Sequence, residues 1–363
     1  MNTIMHLDSA LSWRGGQQQV LYLVNGLRQR DIISFLACPP DSVLFTKALS
    51  QVTSVFPLHI FGEWDILAVR RLRQLIRILK VNILHCHDSH AHTIGLLATM
   101  GLDNCKLLVT RRVDFPIGNN FISQLKYKQR VDQYIAVSEG VKKVLALDGI
   151  DPARITVVHD GIEVNAFLCR DKAVNLYGEI GLDPAKPIIG NVAALAPHKD
   201  QQNLLHAAKM VLEKVPEAQF LIVGAGELEK ELKQLAASLK ILNNVIFTGF
   251  RADVPQILTI MDIFAVSSYL EGLGSSTLEA MAAGLPIAAT RTGGIPEIVQ
   301  NSVNGILVPP RDSEALAWAM MELLKDKKMR EKMGKTSLQM VKNFSVDKMV
   351  EGNLAVYKEL SYR

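Results

Sequence analysis

Cysteine is scarce in this sequence, with four (Cys38, Cys86, Cys105 and Cys169) among 363 residues and no CxxC pair. That scarcity excludes a disulfide framework, offers no zinc-knuckle spacing and suits a reducing compartment. Gly and Pro, 24 and 14, fall short of a low-complexity or collagen-like composition, while 48% apolar and 21% charged residues are those of an ordinary folded protein. No run reaches the ~18 consecutive apolar residues of a bilayer span. The most apolar segments are interrupted by Pro57, Asp262 or Glu279. Residues 1–8 place no basic residue ahead of an apolar stretch, so no secretory signal is expected and a cytoplasmic protein is. Charge of one sign is not concentrated either. The net charge is +4, carried wholly by the first 165 residues. That is too little for nucleic-acid binding, but enough to favour a weak contact with an anionic membrane surface.

What is present is an alternation of short β-branched runs with helix-period segments, the pattern of parallel sheets with crossover helices. At ~100 to 200 residues per domain the length predicts two α/β domains. Strands are expected at 3–7, 33–38, 83–87, 107–110, 133–137 and 155–159, with helices at 17–30, 66–80 and 140–147. The polar stretch 163–186 ends in two prolines, Pro184 and Pro187, which argue against a compact helix there. The predicted division is therefore a first domain over 1–165, a connection over 166–186, a second domain over 187–345 and a C-terminal helix over 346–363 that packs back on the first domain. In the second domain strands are expected at 187–192, 219–223, 245–248, 263–267, 286–290 and 305–308. Two doubly wound sheets in tandem imply a cleft, and open α/β sheets bind ligands at strand carboxyl ends.

The segment richest in chemistry is Glu271-Gly272-Leu273-Gly274-Ser275-Ser276-Thr277-Leu278-Glu279, continuing Ala-Met-Ala-Ala-Gly-Leu-Pro to Pro286. Glycines in the loop let backbone amides approach a ligand, and a helix starting near Ser276 presents unpaired N–H groups and a partial positive charge to an anion such as a diphosphate. Glu271 and Glu279 can both face that ligand, where carboxylates accept hydroxyls of sugar or ribose. Taken singly, Glu279 reads as a helix acid and Glu271 as a solvated loop residue.

The E-x7-E spacing with Ala-Met-Ala-Ala-Gly-Leu-Pro, followed by Thr292-Gly293-Gly294-Ile295-Pro296-Glu297, resembles the retaining glycosyltransferases of family 4, which have the GT-B fold. Val223-Gly224-Ala225-Gly226-Glu227, Thr248-Gly249-Phe250-Arg251, Val137-Ser138-Glu139-Gly140 and His159-Asp160-Gly161 extend the resemblance along essentially the whole chain. It implies that Glu279 holds ribose hydroxyls of a nucleotide-sugar donor and Glu271 those of the transferred sugar. The amides of Gly272, Leu273, Gly274, Ser275, Ser276 and Thr277 would line the diphosphate, with Gly224 and Arg251 also on the donor side. Lys199 would neutralise the departing diphosphate, and Ala194 stands where the family has an arginine, leaving Arg251 or a first-domain cation as a substitute.

In the first domain the resemblance assigns Gly15 and Gly16 to the donor phosphates and Trp13 and Arg14 to the acceptor side; a plain turn and helix start is the alternative. Asp88 and His90 fall in a strand-end loop near the acceptor. Arg111 and Arg112 occupy the place where family members carry a histidine, either as anion ligands, with Arg112 in the catalytic set, or as surface arginines capping a strand. The cluster around His85, Cys86, His87, His90 and His92 matches no standard zinc spacing, and no metal or other cofactor is expected. The implied enzyme is a hexosyl- or related glycosyltransferase. It would move sugar with retention from a nucleotide-diphosphate-sugar to a glycan or glycolipid acceptor, in envelope polysaccharide or lipopolysaccharide synthesis. A non-hydrolysing nucleotide-sugar epimerase and a non-catalytic nucleotide-sugar binder are the alternatives.

Overall fold

The computed structural model describes residues 3–51, 54–118, 126–128, 130–167 and 174–362; Cys169 and part of the expected connection lie outside them. The chain forms two compact units, one of Met1–Gly161 with Val346–Arg363, the other Ile162–Ser345.

The first unit holds a seven-stranded sheet, β1 (Ile4–Leu7), β2 (Ser34–Cys38), β3 (Val55–Pro57), β4 (Ile83–Cys86), β5 (Lys106–Arg111), β6 (Gln133–Ala136) and β7 (Ile155–Val157). The spatial order is β3-β2-β1-β4-β5-β6-β7, and every pairing is parallel. Side chains alternate between the two faces of a strand. Ile83 and His85 therefore point to one side and Leu84 and Cys86 to the other. The first side is covered by α1 (Gly15–Arg28) and the terminal helix Val346–Ser361, whose Met349, Val350, Val356, Tyr357 and Leu360 share a buried cluster with Ile4, Leu23, Leu27, Ile83, Leu108 and Ile135. At ~1.5 to 3 kcal/mol per fully buried large apolar side chain, these residues contribute a substantial part of the first unit's stability. On the other side α4 (Ser89–Thr99) lies over Leu84, Cys86 and Leu107, and α3 (Ile66–Ile78) packs beside it; α2 (Val43–Leu49) follows β2.

The second unit holds a six-stranded sheet in the order β10-β9-β8-β11-β12-β13, again all parallel, with β8 (Ile188–Val192), β9 (Gln219–Val223), β10 (Val245–Gly249), β11 (Ile263–Val266), β12 (Ile287–Thr290) and β13 (Gly305–Val308). The predicted interdomain connection needs correcting. Its described part contains the helix Val174–Ile180, which belongs to the second unit. Pro184 and Pro187 do not oppose that helix, because it stops before them. Gly181, at φ 83°, turns the chain, and the N–H groups of Gly181 and Leu182 both bond to the carbonyl of Tyr177. The first unit correspondingly ends at Gly161 rather than residue 165.

Candidate active site

In each sheet the strand order reverses at one point, between β1 and β4 and between β8 and β11, and the loops leaving those strands diverge there. In the second unit the loop after β8 carries Lys199 and the loop after β11 carries Glu271. Lys199 Nζ lies 2.6 Å from Glu271 Oε2, which also accepts from Ser268 Oγ at 3.1 Å. Glu271 is thus a held, mostly buried carboxylate rather than a solvated one. Further bonds brace the pair: Ser267 Oγ donates to the Lys199 carbonyl at 2.8 Å, Tyr269 N–H to the His198 carbonyl at 3.0 Å, and Gly294 N–H to the Gly272 carbonyl at 3.1 Å. The loop of Gly293 and Gly294 is thereby joined to the Glu271 loop.

The helix Ser275–Ala282 begins one residue earlier than the sequence predicts, after Gly274 at φ 96°. A side chain would be strained at that angle, and a Cβ would also stand 2.7 Å from Ile295 Cδ1, so glycine is what lets the helix start here. Glu279, one turn in, is half-buried, and among the described residues no hydrogen bond or ion pair engages its carboxylate. Loss of hydration pushes that carboxyl up to about 7. Near it the hydroxyl of Thr277 is buried and, among the described residues, has no hydrogen-bond partner. A helix N-terminus, an unpaired desolvated carboxylate and a braced Lys–Glu pair together offer positive potential for an anion beside acceptors for hydroxyls.

Two further donor-side candidates have structural partners of their own. Arg251 is held in a fork by Asp253, at 2.8 and 2.6 Å, and by Glu179 at 2.6 Å. Two carboxylates therefore balance its charge. Gly224 serves loop packing, since a Cβ there would stand 2.0 Å from the Ala193 carbonyl oxygen. Arg311, which the sequence reading passed over, lies with its guanidinium 4.1 Å above the ring of Tyr269, two residues before Glu271. No local pattern marks it, because β13 and the Tyr269 loop are distant in sequence.

In the first unit the corresponding reversal is bridged by Asp88. It caps α4 by accepting from Ala91 N–H at 2.9 Å and takes both Ser9 N–H, at 2.6 Å, and Ser9 Oγ, at 2.5 Å. This carboxylate fixes the loop after β1. His90 is exposed, 3.9 Å from Glu63. Arg112 forms a partly buried ion pair with Asp160 and lies against Gly16, while Gly15 is exposed at the start of α1. Arg111 turns away to Tyr127 Oη at 2.9 Å and the Phe115 carbonyl at 2.7 Å, so of the two arginines only Arg112 borders the glycines of α1. Arg14 is exposed at the N-cap of α1, and Trp13 is half-buried with Lys47 Nζ 4.5 Å from its ring. Asp8, beside them, is buried and hydrogen-bonded to Gln17; loss of hydration and then the nearby Asp88 charge push it up to about 7.

His85 on β4 and His87 just after it meet a histidine that the sequence reading missed. His6 on β1 is in register with His85, so with His87 three imidazoles share one face of the sheet, their nearest ring nitrogens within 4.8 Å of one another. Both ring nitrogens of His85 are engaged, by Tyr357 Oη at 2.7 Å and Thr110 Oγ1 at 2.6 Å, and His6 Nδ1 faces His87 Nε2 at 3.0 Å. Burial holds all three well below the ordinary histidine range, so the cluster is neutral.

Comparison with known proteins joins the two units to one family. Residues 13–166 match the family description Glycosyltransferase Family 4, and residues 177–340 match Glycosyl transferases group 1. An uncharacterized glycosyltransferase of Methanocaldococcus jannaschii is 26% identical over 321 residues, covering 82% of this chain and 81% of its own. The UDP-Gal:alpha-D-GlcNAc-diphosphoundecaprenol alpha-1,3-galactosyltransferase of Escherichia coli is 25% identical over 300 residues, 79% of this chain and 78% of its own. Among solved structures, Anabaena HepE in complex with UDP superposes with a TM-score of 0.86 at 21% identity, covering 98% of this chain and 100% of that one. With both halves matched and both sheets of the expected kind, this chain is a glycosyltransferase of family 4 type with the two Rossmann-like domains of the GT-B fold.

Proposed function

We propose that the protein transfers a sugar, with retention of anomeric configuration, from a nucleotide-diphosphate-sugar to a hydroxyl of an envelope glycan or glycolipid on the cytoplasmic side of the membrane. The observation that carries the reading is Glu279. A carboxylate kept desolvated and unpaired costs stability unless a ligand completes it, and a ribose diol beside a diphosphate at the N-terminus of the same helix does so. Structures of HepE hold UDP and UDP-glucose, which supports a uridine diphosphate sugar as the first donor class to try. Glu271 receives hydroxyls of the transferred sugar, and Lys199, 2.6 Å from it, meets charge that grows on the departing diphosphate. In this reading the diphosphate oxygen itself takes the proton of the incoming hydroxyl, and no protein nucleophile is used.

The reaction needs no metal, because amides and Lys199 provide the charge that a divalent ion would. Acceptor binding falls to the first domain, around Trp13, Arg14 and Arg112. The deciding experiment screens nucleotide-sugars by thermal shift, then follows product by NMR with candidate acceptors in excess chelator. The expected product keeps the donor's anomeric configuration and forms without added metal. Inversion at that carbon, loss of activity restored by magnesium or zinc, or donor turnover without an acceptor would each overturn part of the assignment.

A further inference from the structure

The three histidines on the first sheet take no part in the proposed transfer. His6 and His85 are fully buried, and His87 is 5% exposed. Their hydrogen bonds do not close. His85 is satisfied at both nitrogens by Tyr357 and Thr110, whereas His6 Nδ1 and His87 Nε2 have each other. A neutral imidazole carries one N–H. If His6 Nδ1 donates, His87 must keep its own proton on Nδ1; if His87 Nε2 donates, His6 must keep its proton on Nε2. Those two atoms, His6 Nε2 and His87 Nδ1, are buried and have no partner among the described residues. Either tautomer therefore leaves one N–H and one bare ring nitrogen unsatisfied. Buried polar groups are ordinarily paired, so the network is incomplete as a set of hydrogen bonds alone.

The same rings have the spacing of a ligand set. One nitrogen from each lies within 4.8 Å of the other two. Around a tetrahedral zinc with Zn–N bonds of ~2.0 to 2.1 Å, ligand nitrogens stand about 3.3 Å apart. The 3.0 Å between His6 and His87 is close to that value. Bringing in His85 takes a side-chain shift of at most about 1.5 Å. His85 also has the outer support a ligand needs: with one nitrogen on an ion, the other keeps its hydroxyl partner, Tyr357 or Thr110, which fixes the ring. Paired strands hold all three. His6 and His85 are register partners, and His87 N–H still bonds to the Leu7 carbonyl at 3.0 Å. Spacing along the sequence hid the set because no local window contains His6.

We infer that His6, His85 and His87 bind one late first-row divalent ion, of the zinc, cobalt or nickel kind, as a structural tie between β1 and β4. Imidazole nitrogens suit these ions, whereas magnesium and calcium take oxygen ligands. Three histidines with a fourth position left to water make a known zinc set. Burial keeps the rings neutral, the form whose lone pair a metal takes. Tyr357 links the ion to the terminal helix, since its hydroxyl is bonded to His85. Metal binding and the seating of that helix therefore favour one another.

The test uses the full chain without a histidine tag, stripped by chelator. Cobalt(II) or zinc(II) is titrated into the folded protein and, because the site is closed, also supplied during refolding from urea. One ion per chain is expected. The cobalt form should show the strong visible bands of four- or five-coordination, and X-ray absorption of the zinc form should show three imidazoles at ~2.0 to 2.1 Å. At about a hundredfold excess over Kd, zinc should raise the first domain's thermal midpoint by roughly 5 to 10 °C, and magnesium should leave it in place. His6→Gln and His87→Gln should each lose the cobalt spectrum and the zinc shift. His59→Gln, exposed and outside the cluster, should keep both. Should a buried variant fail to fold, the X-ray absorption of the unaltered chain decides. No ion bound by either route, an octahedral oxygen-ligated spectrum, or a zinc shift unchanged in both histidine variants would each overturn the assignment. Turnover is not read, so an ion held here and an ion needed by the transfer reaction are told apart.

Discussion

Lys199 and Glu271 are 72 positions apart in the chain, yet their charged atoms lie 2.6 Å from each other across the point where the second sheet reverses its strand order. The lysine proposed to answer the departing diphosphate and the carboxylate proposed to hold the sugar therefore brace one another before either meets a ligand. Lys199→Ala is expected to lower kcat by ~10² to 10³, the usual effect of removing one group that stabilises developing charge, with a smaller effect on donor affinity. Lys199→Arg should recover part of the loss, and Ala194→Arg in the alanine background should recover more if a second cation is useful there. Steady-state kinetics alongside calorimetric Kd values separate the two effects; an unchanged kcat in Lys199→Ala would remove the lysine from the chemistry.

Glu279 gives a pH-dependent expectation. Its carboxyl is pushed up to about 7 by lost hydration, so the free protein near neutrality holds a mixture of protonated and ionised forms. Only the ionised form accepts two ribose hydroxyls fully, so affinity for UDP should rise between pH 6 and 8. Glu279→Gln should bind ~1.5 to 3 kcal/mol more weakly and lose that rise. Isothermal titration at three pH values decides the matter, and identical profiles for both proteins would refute the ribose assignment.

Stability should rise with pH through the acid range. Burial lowers His6 and His92 to about 3 and holds His85 and His87 well below their ordinary value. Between about 3 and 6.5 the unfolded chain thus binds protons on four imidazoles that the folded chain refuses, which favours folding as pH increases. Asp8 and Glu279, both raised to about 7, act in the other direction: folded, they keep protons that the unfolded chain releases near pH 4. Asp160, raised by burial, adds to that opposition. The four imidazoles outweigh the two carboxyls raised to about 7, and each unbalanced proton contributes roughly 1.4 kcal/mol per pH unit. Urea midpoints should climb from pH 5 to 6.5, and a flat or falling series would mean that the histidines are hydrated in solution.

Tyr357→Phe should destabilise the first domain by ~1 to 3 kcal/mol, because it leaves the buried His85 Nδ1, now 2.7 Å from the tyrosine hydroxyl, without its partner. Thr110→Val should do the same at Nε2. Denaturant unfolding with equal effects from an exposed control such as Lys358→Ala would show that the network contributes nothing specific.

Most of the strands and the donor-side helix were legible because each is a local pattern: β-branched runs of four or five residues, and glycines before a helix. What escaped has identifiable causes. Strand β3, three residues at a sheet edge ending in Pro57, is too short for periodicity to register. Helix α4 buries Ala91, His92, Thr93, Ile94, Gly95 and Ala98 around much of its circumference, so it lacks the one-sided stripe by which helices are found. At the site, Glu271 and Glu279 were found in the glycine-loop motif and Lys199 through the family resemblance, whereas the partners of Arg251 and Asp88, the joining of His6 to His85 and the place of Arg311 depend on strand pairing and loop contacts invisible to local reading. The helix Val174–Ile180 was lost by giving two prolines authority over residues that precede them.

The terminal helix Val346–Ser361 belongs to the first unit although the whole second unit is encoded before it. Met349, Val350, Val356, Tyr357 and Leu360 complete the layer over β1, β4, β5 and β6. A ribosome adding ~5 to 20 residues per second needs roughly 9 to 40 s to traverse 184 codons between the two pieces. Throughout that interval the nascent first domain has one sheet face covered by α1 alone, with Ile4, Ile83, Leu108 and Ile135 lacking the contacts of the terminal helix. The second domain, contiguous in the chain, has all its parts earlier than the first, so vectorial synthesis reverses the order in which the two can mature.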